Sequence, residues 1–240
     1  MTYVANSGFL IAAGGKKVLI DALFEGLPGA YVVPAAVQDL LVNARPPFDG
    51  IDLVLATHSH ADHFAATSVL RCLQSNPQAS FVGPQDAAGQ VTGFAGRTYA
   101  VDVAQGQRRS LEVNGVRIEA MYISHGTPPP GYPGIVNLGY LITLGGVKFL
   151  HVGDADAGTV TVAYLQSLGL PGEQVDVAFI SHLILGASSP HPFVTQGIQP
   201  RNVVAAHYQF TDPGPNYAQI LRNFPAAVVF HNELETWTVR

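Results

Sequence analysis

Apolar residues along the chain come in short runs separated by turn-forming residues. Gly8 to Ala13 and Lys17 to Asp21 read as a hairpin joined through Gly14-Gly15, and Met1-Thr2-Tyr3 already enters strand-like sequence. Pro34 to Ala44 carries the marks of a helix, opened by proline and closed before Pro46-Pro47. Ile51 to Ala56 is almost continuously apolar, which suits a strand buried on both faces. A polar, histidine-rich segment follows, and a helix is expected from about Asp62 to Gln74. Further strands are expected at Ser80–Val82, Ser110–Val113 and Val116–Tyr122, the last two joined by Asn114-Gly115. Val136–Leu144 and Val147–Val152 pair through Gly145-Gly146, and Val160–Leu168 reads as a helix. Asp176–Ile180, Asn202–Ala206 and Ala226–Phe230 read as strands, with a helix at about Asn216–Asn223. No internal repeat, low-complexity tract or linker is detectable by eye, so one domain over residues 1–240 is expected. Hairpins mixed with strand–helix alternation imply a layered α/β fold.

Composition narrows the class. Hydrophobic residues make up 48% and charged residues 12%, against roughly 25% charged in an average globular protein. That balance excludes a solvated, disordered chain. A net charge of −5 and a pI near 5.9 disfavour a nucleic-acid binder, which needs a basic face. Only Lys16-Lys17 and Arg108-Arg109 are adjacent basic pairs, and both read as solvated turns. The single cysteine, Cys72, excludes an internal disulfide and a thiolate-rich metal site, and reads as a small buried hydrophobe. No apolar run approaches the roughly 20 residues of a membrane span. The N-terminus lacks a signal-peptide pattern. The compartment stays open: cytoplasmic, or periplasmic or secreted if a leader has been removed ahead of the strand-like start.

The decisive stretch is Thr57-His58-Ser59-His60-Ala61-Asp62-His63, directly after the buried strand. In extended backbone, residues two apart point the same way, so His58, His60 and Asp62 can converge, while His63 reaches the same space from the turn into the helix. Imidazole and carboxylate donors suit zinc, manganese or iron. Three histidines and an aspartate within six residues, in a chain with nine histidines, are hard to attribute to chance.

This segment resembles the HxHxDH signature of the metallo-β-lactamase superfamily, and the resemblance continues in order through nearly the whole chain. A glycine hairpin ending in Leu19-Ile20-Asp21 precedes it. Ile123-Ser124-His125-Gly126, Phe149-Leu150-His151-Val152-Gly153-Asp154 and Val203-Val204-Ala205-Ala206-His207 follow, each closing a strand. The resemblance implies a four-layer αββα sandwich with all ligands along one edge. It implies a first metal on His58, His60 and His125, and a second on Asp62, His63 and His207, with Asp154 between them. Two divalent ions, zinc first and manganese or iron as alternatives, would share and acidify a bridging water and polarise the scissile bond. Asp62 would also orient the nucleophile and take up its proton.

Among branches of the family, the β-lactamases lack a bridging aspartate, and glyoxalase II-like enzymes carry a helical C-terminal domain where 33 residues follow His207 here (240 − 207). RNA-processing members add a domain or basic exosite. The chain is most similar to compact hydrolases of the ascorbate-6-phosphate lactonase-like type. Hydrolysis of a small lactone, ester, amide or phosphodiester is the leading expectation, with an anionic substrate drawn by the metals. A mononuclear-iron persulfide dioxygenase and a metal-binding protein without turnover are the alternatives. Oligomeric state is left open.

Other residues carry weaker signals. Asp21 either supports the metal site from behind or caps a turn. His182, just after Asp176–Ile180, either reaches the pocket mouth to bind substrate or protonate a leaving group, or has no role. His151 points to the opposite strand face from Asp154 and reads as structural; Asp156 is a rival to Asp154 that strand-end position disfavours. His191 and His231 receive no function. Tyr208 and Tyr132 are expected at the substrate opening, and the proline-rich stretch 126–135 is expected to shape one cleft wall.

Overall fold

The computed structural model describes residues 1–26, 32–127, 134–208 and 217–239. Two six-stranded sheets form its centre. The first runs, in spatial as in chain order, β1 (Thr2–Ala5), β2 (Gly8–Ala13), β3 (Lys16–Ile20), β4 (Leu53–Leu55), β5 (Ser80–Gly83) and β6 (Thr98–Ala100). Its first three strands are antiparallel and the rest are parallel. The second holds β7 (Arg108–Val113), β8 (Val116–Tyr122), β9 (Leu138–Leu144), β10 (Val147–His151), β11 (Val177–Ser181) and β12 (Asn202–Ala206), antiparallel from β7 to β10 and parallel from β10 to β12. The C-terminal segment covers the β1 edge, with Tyr3 N donating to Glu235 O at 3.0 Å and Leu234 N to Tyr3 O at 2.9 Å.

Alternation along the strands sorts side chains into layers. Phe9, Ile11, Val18, Ile20, Leu53 and Leu55 face the second sheet, joining Tyr140, Ile142 and Phe179 in one core. Their neighbours Leu10, Leu19 and Val54 point the other way, under α1 (Ala35–Val42) and α2 (Ala66–Ser75), against Leu41, Val69 and Leu73. On the outer side of the second sheet lie α4 (Val162–Ser167), α5 (His182–Leu185) and α6 (Tyr217–Asn223), through Leu165, Leu185 and Ile220. The result is the expected αββα layering. A short α3 (Gln85–Ala88) follows β5. No helix among the described residues is long and apolar enough to cross a membrane.

Three expectations need correction. The helix expected from Asp62 begins at Ala66, because Phe64 bridges Leu23 and Ala65 N donates to Leu23 O at 2.8 Å, which holds 64–65 extended. The strand expected at Ala226–Phe230 is reduced to one bridge, Val228 to Val204, because Phe230 N turns away to the Tyr208 hydroxyl at 2.9 Å.

The chain also contains a repeat that the eye misses. Gly8, Leu10, Ile11, Gly14, Gly15, Lys17 and Leu19 recur as Gly139, Leu141, Ile142, Gly145, Gly146, Lys148 and Leu150. Each copy is a hairpin whose second strand receives a parallel partner headed by aspartate. Lys17 N donates to Asp52 Oδ2, and Lys148 N to Asp176 Oδ2, both at 2.9 Å. The two turns touch: a Cβ on Gly14 would stand 2.9 Å from Gly145 Cα. Connections of different length after the hairpins hide the relation in the sequence.

Candidate metal centre

The strands of both sheets end at one edge, and the turns leaving them carry the polar side chains. After β4, the chain bends at Thr57 and runs to His60 without regular structure. His60 O then accepts from His63 N and Phe64 N at 3.0 and 2.9 Å, turning the chain so that His63 faces back into the site. After β10, Gly153 adopts φ +58°, open to glycine at little cost, and Asp154 N is held by Asn137 Oδ1 at 3.2 Å. After β12, His207 itself takes φ +61°, an uncommon conformation for a side-chain-bearing residue, with its N–H on Asn6 O at 3.2 Å.

Two groups of side chains result. His58, His60, His125 and Asp154 form one, and Asp62, His63, Asp154 and His207 the other; within each, the candidate donor atoms all lie within 4.8 Å of one another. Asp154 belongs to both. Its carboxylate stands 3.1 Å from His63 Nε2, 3.1 Å from His207 Nε2, 3.6 Å from His125 Nε2 and 3.9 Å from His58 Nε2. Asp62 Oδ2 lies 3.5 Å from His207 Nε2 and 3.8 Å from His63 Nε2. His63 Nε2, His125 Nε2 and Asp154 Oδ1 are buried without a hydrogen-bond partner. Buried lone donors of this kind, aimed at a common point, fit metal ions.

Asp21, fully inside the protein, organises both groups. Its carboxylate accepts Thr57 N–H at 2.8 Å, the Thr57 hydroxyl at 2.7 Å and His63 Nδ1–H at 2.8 Å. Because the Thr57 proton goes to Asp21, its oxygen accepts from His58 Nδ1 at 3.0 Å. In the neutral rings this puts the proton of His58 and of His63 on Nδ1 and leaves Nε2 for a metal. Both readings of Asp21 hold at once: it caps the Thr57 turn and it backs the site.

The electrostatics of the metal-free site follow from crowding. Burial, with His63 close by, drives His58 well below its ordinary pKa. For His63 burial also pushes downward, but Asp154 and Asp21 reverse it and the net shift is well upward. His207, likewise opposed by burial, is carried up to about 9 by Asp154 and Asp62. Burial pushes Asp154 upward, yet His63, His125 and His207 hold it well below the carboxylate range. Protonated histidines therefore supply the positive charge that metal ions would supply.

Sequence reasoning missed two asparagines. Asn6, buried in the β1–β2 turn, donates from Nδ2 to Asp62 O at 2.9 Å and approaches Asp62 Oδ2 at 3.4 Å. Asn137 Nδ2 ties Ile123 O to Val152 O at 2.9 and 3.0 Å, joining the strand ends that carry His125 and Asp154. Nothing local marks either residue; only the touching of distant turns does.

Of the weaker candidates, His151 is buried and structural, bonded to Ser7 O at 2.9 Å and accepting Gly153 N–H at 3.0 Å. Asp156 accepts Gly158 N at 2.8 Å and belongs to neither donor group. His182 opens α5, outside both groups, with its ring 6.2 Å from that of Tyr208. Tyr208 does not line an opening: it is 1% exposed, bonded to Phe230 O at 2.9 Å and stacked on Tyr3. Tyr132 and residues 128–133 of the proline-rich stretch lie outside the described residues. A cleft of about 490 Å³ opens beside Asp154 and His207, walled by Leu183, Ile184, Asp156 and His191. His191, to which the sequence assigned no function, is thus a cleft residue.

Residues 16–209 match the family model described as a β-lactamase superfamily domain. A UPF0173 metal-dependent hydrolase of Pyrococcus furiosus is 26% identical over 217 residues, covering 89% of this chain and 86% of that protein. Its counterpart from Thermococcus kodakarensis is 28% identical over 216 residues, covering 88% and 85%. Among solved structures, Igni18, a metallo hydrolase from Ignicoccus hospitalis, superposes with a TM-score of 0.66 at 21% identity, covering 98% and 95% of the two chains. The chain belongs to the β-lactamase superfamily.

Proposed function

We propose that the protein is a metal-dependent hydrolase that cleaves a small lactone, ester, amide or phosphodiester at a dinuclear centre. The observation that carries this reading is that Asp154 belongs to both donor groups, so one carboxylate can serve two ions. When bound, two divalent ions would lower the pKa of an attacking water and polarise the oxygen of the scissile group. His58, His60 and His125 would hold one ion, and His63, His207 and Asp62 the other. Asp62, held by Asn6 through its backbone carbonyl, keeps one carboxylate oxygen beside His207. There it can orient the water and accept its proton. Asp21 fixes the histidine tautomers from behind. The relatives named metal-dependent hydrolases support the same reading.

The test is metal analysis of protein purified without added metal, followed by a panel of esters, lactones and phosphodiesters. Two ions per chain are expected, falling to one or none in Asp154→Ala, with hydrolysis lost. Iron-loaded protein that consumes oxygen with a persulfide and hydrolyses nothing would establish a dioxygenase instead. Full metal occupancy with neither activity would leave a binding protein.

A further inference from the structure

The cleft beside the metal centre has the wrong charge for an anion held by side chains. Segments 21–44, 56–70, 123–147, 152–200 and 207–221, which leave the strand ends at the metal edge, contain no lysine or arginine. That holds for 27–31, 128–133 and 209–216 as well, since it is a property of the sequence. Four of the cations that close these segments are engaged elsewhere, and the fifth, Arg71, stands exposed on α2, outside the cleft lining. Arg45 pairs with Asp39, Lys148 with Glu173, and Arg201 with Asp176. Arg222 bonds to Gln219 on α6. Arg97, which ends the connection after β5, donates to the carbonyls of Leu73, Pro77 and Ala79. The cleft itself presents the Asp156 carboxylate.

What the cleft offers is apolar. Leu183 stands 68% exposed at its mouth, above buried Ile184. With Ala155, Ala157 and Ala187 they make an apolar wall beside the donor groups, the kind of lining that small-molecule clefts carry. His191 adds one uncharged donor: its Nδ1 accepts Phe193 N–H at 3.2 Å, so the ring carries its proton on Nε2.

We infer that the substrate is an uncharged acyl compound, an ester, lactone or amide, whose apolar part lies on Leu183. The inference rests on the hydrolase reading and narrows it. The reaction adds water across the acyl bond: a C–O or C–N bond breaks, the acyl carbon gains oxygen, and the leaving group takes a proton. An uncharged acyl compound asks only that its carbonyl oxygen be polarised. A phosphorylated or carboxylated substrate carries further charge, which would meet Asp156 and no arginine or lysine. This inference departs from the anionic substrate expected from the metals alone, because it gives weight to the side chains that meet the rest of the molecule.

The experiment compares zinc-loaded protein on 4-nitrophenyl hexanoate and mono-4-nitrophenyl adipate, which share a leaving group and chain length and differ by a remote carboxylate. Hexanoate is expected to lead by about tenfold or more in kcat/KM. From acetate to hexanoate, kcat/KM should rise by up to about fourfold per methylene as the chain covers Leu183. Leu183→Lys should narrow the hexanoate lead, and Leu183→Ser should flatten the chain-length series. Equal or inverted preference for adipate overturns the inference and leaves the hydrolase standing. So does a rate enhancement for bis(4-nitrophenyl) phosphate, relative to its uncatalysed hydrolysis, larger than that for hexanoate. No turnover of any of the three at full zinc occupancy overturns both.

Discussion

Asp21→Asn keeps the shape of the side chain and turns one acceptor oxygen into a donor. The wild-type carboxylate receives three hydrogens, one on Oδ1 from Thr57 N and two on Oδ2 from the Thr57 hydroxyl and His63 Nδ1. With the amide NH2 in the Oδ1 place, donor meets donor against Thr57 N–H. With it in the Oδ2 place, His63 must accept at Nδ1 and carry its proton on Nε2, the atom offered to the metal. Either arrangement leaves a buried group unsatisfied, at about 1–3 kcal/mol. At about 2–4 °C per kcal/mol for a chain of this size, the metal-free protein should melt about 2–12 °C lower. Loss of the tautomer control should weaken zinc by about 10–100-fold, since that is the usual cost of removing a group that orients a metal-bound histidine. Differential scanning calorimetry without metal gives the first quantity. Competition with a chromophoric chelator gives the second. A variant that matches wild type in zinc affinity and stoichiometry would show that Asp21 merely caps the Thr57 turn.

On the dinuclear reading, Asn6→Ala should weaken one zinc ion by about tenfold and spare the other, because the Asn6 amide bonds to Asp62 and, among the described residues, to none of His58, His60 and His125; a chelator titration that shows both ions weakened equally would count against that division. Gly153→Ala should destabilise by about 2–5 kcal/mol, read by calorimetry, because φ is +58° and the new Cβ would overlap Asn137 Oδ1 and stand 2.9 Å from Thr57 Cβ. Cys72 is wholly buried and burial pushes its thiol up to about 12, so a thiol reagent at pH 8 should label the unfolded chain and leave the native protein unmodified. Rapid native labelling would mean that α2 opens locally.

The donors of the site are legible because each is local in sequence to a strand end. An apolar run marks the strand, and the polar residue that follows it must stand at the edge. His58 to His63, His125, Asp154 and His207 all obey this rule. What the sequence hides is set by contacts between distant turns. Asn6 lies 56 residues from Asp62, and its amide matters only because the β1–β2 turn reaches the HxHxDH loop. Asn137 reads as one polar residue at the mouth of an apolar strand, yet it joins the end of β8 to the turn after β10. Tyr208 follows a strand end as the ligands do, and by position alone it belongs at the opening. Its ring instead folds inward, because Tyr3 offers a stacking face and Phe230 a backbone partner for its hydroxyl. The late start of α2 has the same origin: helix propensity in 62–65 yields to pairing with Leu23, which no local pattern announces.

The repeat explains why only one of two related histidines stands among the donors. Aligning Asp52 with Asp176 places Thr57 on Ser181 and His58 on His182. The two loops begin alike and then diverge. In the first, Thr57 hands its hydroxyl proton to Asp21 and takes one from His58, which fixes that ring with Nε2 inward. In the second, the residue matching Asp21 is Val152, which offers no acceptor. Ser181 therefore accepts from Leu183 N at 3.3 Å, and the chain turns at once into α5. With that turn, Leu183 and Ile184 are carried to the cleft, where the first copy carries His60. A single carboxylate, Asp21 after β3 where Val152 stands after β10, thus separates a donor-bearing loop from a cleft-lining helix built on the same strand pattern.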